Sequence, residues 1–334
     1  MCTRAVYLGP EETVITTRTM DWFAPMGTNL WVYPRGLERD GAAGPDSLRW
    51  TSRFGSVTTA GYDAATVDGI NEAGLVANML YLAESDYGSP QPGDPRKPLA
   101  VSAWGQYVLD TFATVAEAVA ALRQEPFYIK EVQTPDGHAG TAHLSLSDPS
   151  GDSAIVEYVG GELRIHHGRE HQVMTNSPVF DQQLALNAYW EQIGGTVMLP
   201  GTNRAADRFV RASFYMKAIP QTADATKALA SAFGVIRNCS VPLGITTPGQ
   251  PNISSTLWRT VADHKNRVYF FESTQSPYLL WINLADLDFA PGAPTLKLTL
   301  DEAAALVEDG QYVSGNVAAW LQPAKPFAFL PAPA

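Results

Sequence analysis

Cys2-Thr3-Arg4-Ala5-Val6-Tyr7-Leu8, then Gly9-Pro10-Glu11-Glu12, then Thr13-Val14-Ile15-Thr16-Thr17-Arg18-Thr19-Met20 is the stretch that decides the fold. Thr3–Leu8 and Thr13–Met20 are rich in β-branched and aromatic residues, and the Gly-Pro pair between them is hairpin punctuation. The chain therefore opens on a strand whose first residue is a cysteine. A thiol works as a nucleophile in its thiolate form. Once Met1 is removed, Cys2 also carries a free α-amine, whose ordinary pKa of about 7.7–8.0 lets it act as a base without a histidine partner. A nucleophile that uses the terminal amine as its base is one recognised form of activated nucleophile. The plainer alternative is a small buried hydrophobe, the usual state of a free cysteine.

Working outward, Asn29–Tyr33, Ser56–Tyr62 and Leu75–Leu82 read as further strands, and Pro90 to Pro98 as a loop. Val101–Phe112 and Thr114–Gln124 carry apolar residues at helical spacing, the second with Thr114 as its N-cap. Strands return at Ala142–Ser147, Ser153–Val159 and Glu162–His166, the last two joined by Gly160-Gly161. Gln182–Ile193, Ala205–Ala218 and Ala223–Phe233 are helical patterns. Ser255–Ala262, Arg267–Glu272 and Tyr278–Asn283 are strands, and a short helix starts near Asp301. Strands in antiparallel-looking runs with helices in blocks predict an α+β fold rather than a doubly wound sheet. No linker, repeat or low-complexity segment divides residues 2–334, so a single domain is expected.

Composition narrows the function. The 334 residues are 45% hydrophobic, enough for a large core and too many for a disordered chain. The 23 Lys+Arg against 34 Asp+Glu leave a net charge of −11, and no basic block interrupts the chain. Nucleic-acid binding rests on clustered cations, so no such partner is expected. No apolar run reaches the roughly 18–20 residues that span a bilayer, so no membrane partner is expected either. The two cysteines, Cys2 and Cys239, are too few for a disulfide scaffold or a Cys-based zinc site. His166, His167 and His171 are metal-ligand types, but adjacent histidines on a strand face opposite sides and no carboxylate or thiolate completes a set. Neither metal nor cofactor is expected.

Five motifs follow in order: Cys2-Thr3-Arg4, Arg18-Thr19-Met20-Asp21-Trp22, Asp68-Gly69-Ile70-Asn71-Glu72-Ala73-Gly74-Leu75, Thr175-Asn176-Ser177-Pro178 and Arg237-Asn238. Singly, each has a bland reading: Arg18 and Asp21 as a surface ion pair, Asn176-Ser-Pro and Asp68-Gly69 as turns. Together the chain resembles the choloylglycine hydrolase family of N-terminal nucleophile hydrolases, whose members include penicillin V acylases and bile salt hydrolases. The resemblance runs over nearly the whole chain. Asp181–Trp190, Leu199–Phe209 and Arg237–Gly244 are most similar to penicillin V acylases of the Gram-negative type.

The resemblance implies a four-layer αββα sandwich, two antiparallel sheets between helical layers. It implies hydrolysis of a linear amide through a thioester, with Cys2 as nucleophile and base. Arg18 and Arg237 would place cations near the thiol, and Asp21 would hold the α-amine. Asn176 and the Tyr81 N–H would form the oxyanion hole. Tyr81 stands where bile salt hydrolases usually carry Asn and penicillin V acylases an aromatic residue. Side chains alternate along a strand, so Arg18 and Asp21 can both reach Cys2 only if the chain bends near Met20–Asp21; a strand end is expected there. Trp22 and Tyr81, beside motif positions, are the expected acyl-pocket walls. Penicillin V is the first expected substrate, acyl-homoserine lactones the second and conjugated bile salts the third. A binding protein on a decayed hydrolase scaffold is the non-enzyme alternative, opposed by the filled catalytic positions. The resemblance also implies a homotetramer, with Gln182 to Phe214 as the assembly arm. As written, the sequence reads as cytoplasmic; a removed leader would make it periplasmic, like the enzymes it most resembles.

Overall fold

A computed structural model describes residues 2–248, 254–276, 279–300, 307–308, 311–312 and 314–333. The opening hairpin forms as its sequence suggests, from Cys2–Leu8 (β1) and Val14–Asp21 (β2), with Cys2 opposite Met20 and Arg4 opposite Arg18. At its turn the Gly9 N–H donates to the Thr13 carbonyl at 2.7 Å. A Cβ on Gly9 would lie 2.8 Å from the Thr222 carbonyl oxygen, so no other residue fits there.

Among the described residues the first sheet has seven strands. Their spatial order is Val173–Met174, β1, β2, Thr256–Asp263, Val268–Ser273, Leu279–Asn283 and Gly315–Asn316, antiparallel except for the last pairing. The second sheet has nine: Glu162–His167, Ser153–Val159, Ala142–Ser147, Val76–Tyr81, Ala65–Asn71, Ser56–Gly61, Asn29–Tyr33, Leu296–Leu298 and Gln322–Pro323. Helices Val101–Thr111 (α1) and Val115–Leu122 (α2) cover the second sheet. Phe180–Ile193 (α3) packs on Ala205–Ala218 (α4), which with Ala225–Asn238 (α5) covers the first. The four-layer αββα architecture is thus present.

Burial on both faces explains why β2 is buried at every residue despite four threonines or arginines among its eight. Each hydroxyl finds a partner: Thr16 pairs with Ser147 Oγ at 2.7 Å, Thr17 donates to the Ala5 carbonyl, and Thr19 accepts from the Thr3 N–H. In Val76–Tyr81, Val76 and Leu80 join the core shared with the first sheet, while Ala77 and Met79 join the core under α1. That is the period-two alternation of a strand between two layers.

Thr114 caps α2 as expected, accepting from the Glu117 N–H. Helix α5 runs to Asn238 rather than stopping at Phe233. Gly234 has the look of a helix terminator, but packing of Val235 and Ile236 against the first sheet carries the helix past it. The paired short strands Glu38–Asp40 with Arg49–Thr51, and Lys97–Ala100 with Phe127–Lys130, were not legible from pattern. The helix expected near Asp301 lies outside the described residues. No helix among the described residues is long and apolar enough to cross a membrane.

Candidate active site

Sheet register assembles the site. Val173–Met174 pairs with β1 so that Arg4 faces Met174 and Ala5 faces Val173; two residues further, Asn176 comes level with Cys2. The Cys2 N–H donates to Asn176 Oδ1 at 2.5 Å, bridging 174 positions of sequence. The thiol itself lies between the two sheets. Arg18 Nη2 is 3.6 Å from Cys2 Sγ, and Met20 Sδ is 3.8 Å away.

Arg18 is fully buried and held by its surroundings. Nη2 donates to the Met79 carbonyl at 3.0 Å, the guanidinium stacks 4.5 Å over the Trp258 ring, and Asp68 Oδ2 stands 3.7 Å from Nη1. Asp68 is not in a turn: it sits inside the Ala65–Asn71 strand, where it accepts from Tyr269 and from Asn78 Nδ2. Burial pushes its carboxyl above the ordinary value, against the pull of Arg18, Tyr269 and Asn78. Arg18 thus sets a buried positive charge beside the Cys2 sulfur.

The strand end expected at Met20–Asp21 is present. β2 stops at Asp21, and its pairing with the neighbouring strand shifts register between Thr256 and Trp258. Arg18 contacts the second sheet, whereas Asp21 faces the helical layer, accepting from Thr256 Oγ1 at 2.6 Å and lying 3.7 Å from Arg208 Nη1. Cys2 is therefore addressed from both faces of its sheet: its thiol from one, its main chain from the other.

Arg208, on α4, supplies the second approach. Nη1 donates to the Cys2 carbonyl at 2.6 Å and to Thr3 Oγ1, Nη2 donates to Asn176 Oδ1 at 2.9 Å, and Nε donates to the Asn203 carbonyl. Burial pulls the guanidinium below its ordinary value, opposed by Asp21 and Cys2. This corrects the sequence reading, which gave the second cation to Arg237. Arg237 sits at the end of α5 with a half-exposed guanidinium forked onto Glu272 and packed 5.0 Å over Phe233. It is engaged at the surface, and the second arginine that reaches Cys2 is Arg208, at the Cys2 carbonyl rather than at the thiol.

Asn176 Nδ2 donates to the Tyr81 carbonyl at 2.6 Å, so the main chain of Tyr81 does lie beside Asn176. From Cys2 opens a mostly apolar cleft of about 750 Å³, counting its mouth. Cys2, Met20, Trp22, Tyr62, Tyr81 and Val132 are among its walls, and Val101 and Leu330 line it as well. Trp22 and Tyr81 rings meet at 5.6 Å. Sequence reading missed what fixes Trp22 and Tyr62: Trp22 Nε1 and the Tyr62 hydroxyl both donate to Asp136 Oδ2 at 2.7 Å. Burial works against the Asp136 charge, yet hydrogen bonds from Thr134, Trp22, Tyr62 and His138 together hold its carboxyl down at about 2. Among the described residues no group of three His, Cys, Asp or Glu side chains is placed to hold a metal ion.

Residues 2–299 match the choloylglycine hydrolase family, linear amide C–N hydrolases. A penicillin V acylase of Pectobacterium atrosepticum is 52% identical, covering 98% of this chain and 92% of its own. The structure of penicillin V acylase from Agrobacterium tumefaciens superposes with a TM-score of 0.90 at 57% identity, over 99% of this chain and 100% of that one. A mutant conjugated bile acid hydrolase of Clostridium perfringens, at 20% identity and a TM-score of 0.78, shares the fold over 92% of this chain and all of its own.

Proposed function

The chain belongs to the choloylglycine hydrolase family of linear amide hydrolases, and from that premise we propose that it is a penicillin V acylase with Cys2 as its nucleophile. The observation that carries the reading is the cleft: an apolar, aromatic-walled channel that reaches a buried thiol with an arginine 3.6 Å away. A phenoxyacetyl group is flat and apolar, and Trp22, Tyr62 and Tyr81 offer it ring faces and edges.

With Met1 gone, the Cys2 nitrogen is an amine. It takes the thiol proton, and the sulfur attacks the amide carbon, moving the carbonyl pair onto oxygen. An Asn side chain carries two amide hydrogens. One binds the Tyr81 carbonyl, and the other, with the Tyr81 N–H, is the donor pair for the oxyanion. Collapse breaks the C–N bond, and the α-ammonium protonates the leaving amine. Water then cleaves the thioester and frees the acid. Arg18 sets a positive charge 3.6 Å from the attacking sulfur. Arg208, held by Asp21, fixes the Cys2 carbonyl and Asn176 Oδ1, and so the direction of the nitrogen.

Acyl-homoserine lactones are the second reading, because a mostly apolar cleft of about 750 Å³, with Val101 and Leu330 among its walls, suits an acyl chain. Bile salts rank third. The assembly reading has its own support: Leu184, Leu186, Tyr189, Val197 and Met198 are exposed on and after α3, within the arm from Gln182 to Phe214 of a homotetramer. We take residues 2–334 as a single domain and place it in the cytoplasm, with the periplasm as the alternative. Incubation with penicillin V, a long-chain acyl-homoserine lactone and a glycine-conjugated bile salt, with intact mass taken alongside, tests the proposal. Fastest release of phenoxyacetate with an acylated Cys2 peptide supports it. Turnover of the bile salt alone would overturn the substrate, and turnover by Cys2→Ala the nucleophile.

A further inference from the structure

His143 and Glu157 lie on adjacent strands of the second sheet, each about 1% exposed. His143 Nδ1 is 2.8 Å from Glu157 Oε1, and His143 Nε2 is 2.7 Å from the Thr175 carbonyl oxygen. A carbonyl oxygen carries no hydrogen, so Nε2 must be the donor in that bond. The other ring nitrogen shares its hydrogen with Glu157, whichever partner owns it. The ring is thereby locked in orientation at both nitrogens.

Glu157 is locked in turn. Its Oε2 accepts the Phe180 N–H at 3.0 Å, the first amide of α3, where a carboxylate meets the positive end of the helix. Burial would push Glu157 up, but His143 and the Phe180 amide hold it below the ordinary carboxylate value. The Thr175 carbonyl that His143 grips belongs to the peptide unit leading directly into Asn176. On the far side Gln183 Nε2 donates to the Asn176 carbonyl and, at 2.8 Å, to the Pro178 carbonyl. Asn176 is thus clamped by its flanking carbonyls, while its side chain spans Cys2, Tyr81 and Arg208.

We propose that the buried His143–Glu157 pair is a positioning device for the amide hydrolysis: it sets the main chain at Thr175 and so aims the Asn176 side chain at the oxyanion. Neither residue touches the reacting atoms. The inference rests on Asn176 being an oxyanion donor, and its test separates the two.

Four proteins are compared: the parent, Asn176→Ala, His143→Phe, and the double variant, each with kcat, KM and unfolding free energy measured on hydrolysis of penicillin V or of the best amide found. Loss of the oxyanion donor should lower kcat by about 10²–10³. His143→Phe keeps ring volume and loses both hydrogen bonds. It should lower kcat about tenfold or more with KM within about twofold, since a misplacement of ~1 Å can cost about 10². If His143 acts through Asn176, the double variant falls no more than about threefold below Asn176→Ala alone, because residues in one network do not add. Losses that multiply, or a parent kcat in His143→Phe, overturn the inference while leaving the site standing. A parent kcat in Asn176→Ala overturns both. Should His143→Phe fail to fold, His143→Gln, whose terminal amide keeps a donor toward Thr175, should retain kcat within about threefold, and Glu157→Gln measured beside it should show the larger KM-independent loss. A normal kcat in Glu157→Gln would overturn the role of the pair.

Discussion

Replacing Arg208 and Arg237 in parallel sets the structural assignment of the second cation against the one read from sequence. Arg208 has no exposed surface, whereas the Arg237 side chain is 50% exposed. Arg208→Met removes the donors to the Cys2 carbonyl, Thr3, Asn176 and Asn203, and takes away the buried guanidinium 3.7 Å from the buried Asp21 carboxylate. Removing one partner of a buried pair costs about 3–5 kcal/mol, mostly through the charge left behind. Arg237→Ala leaves Glu272 paired with Arg259 at 2.9 Å, and an exposed pair is worth about 0–1 kcal/mol. Its stacking on Phe233 adds about 0.5–1 kcal/mol at most. Urea unfolding followed by circular dichroism measures the stability term, and kcat per folded molecule at low denaturant measures the catalytic one. Arg208→Met should lose about 3 kcal/mol or more and about 10² in kcat. Arg208→Lys, a point charge without the fork, should fall between. Arg237→Ala should stay within about twofold of parent activity. An Arg237→Ala protein of normal stability and abolished turnover, with Arg208→Met active, would refute the assignment.

Three further outcomes follow from the same geometry. Trp22→Ala should lower kcat/KM about tenfold, or about 1.4 kcal/mol, for phenoxyacetyl and long acyl amides, because it removes an aromatic wall of the cleft; equal losses with small polar acyl groups would mean that Trp22 serves only to support Asp21. Asp136→Asn should destabilise most above pH 4 and least near pH 2, since a carboxyl held at about 2 instead of 3.8 contributes stability above the ordinary value and loses it as pH falls through the lowered one; parallel melting curves for the two proteins from pH 2 to 6 would contradict this. A chain that keeps Met1 should fold but show no turnover, and iodoacetamide at pH 8 should label Cys2 of the processed chain while sparing Cys239, whose burial pushes its thiol to about 11.

What sequence makes legible here is local. The opening hairpin, the Thr114 cap and the α4 boundaries are set by residues within a few positions of one another, and pattern reads them well. The meeting of Cys2 with Asn176 is set by sheet register across 174 residues, which no window of sequence contains. It was reached through resemblance. His143 and Glu157 were hidden for a different reason. His143, Ser145 and Ser147 alternate with Leu144 and Leu146, the pattern of a strand with one wet face. In this fold the polar face meets a second sheet instead, so residues that look solvated are buried and must be hydrogen-bonded.

The exchange of Arg237 for Arg208 shows that a usable signal was nevertheless there. On α4 the buried side chains Ala205, Phe209, Ala212 and Met216 fall at spacings of three and four, the stripe that faces the first sheet. Arg208 lies in that stripe, one helical turn from both Ala205 and Ala212. On α5 the buried residues are Ala228, Ala232, Phe233, Val235, Ile236 and then Cys239, and Arg237 sits at the edge of that stripe, one turn after Phe233 and half-exposed. A cation placed in an apolar stripe costs too much to bury without a partner, so it declares that polar atoms wait on the other side. Here those atoms are the Cys2 carbonyl, Asn176 Oδ1 and Asp21. A cation at the edge of the stripe can reach solvent and a surface carboxylate, as Arg237 reaches Glu272. Helical phase, applied to charged residues as well as to apolar ones, therefore separates the arginine that reaches the nucleophile from the one that shares a motif with it.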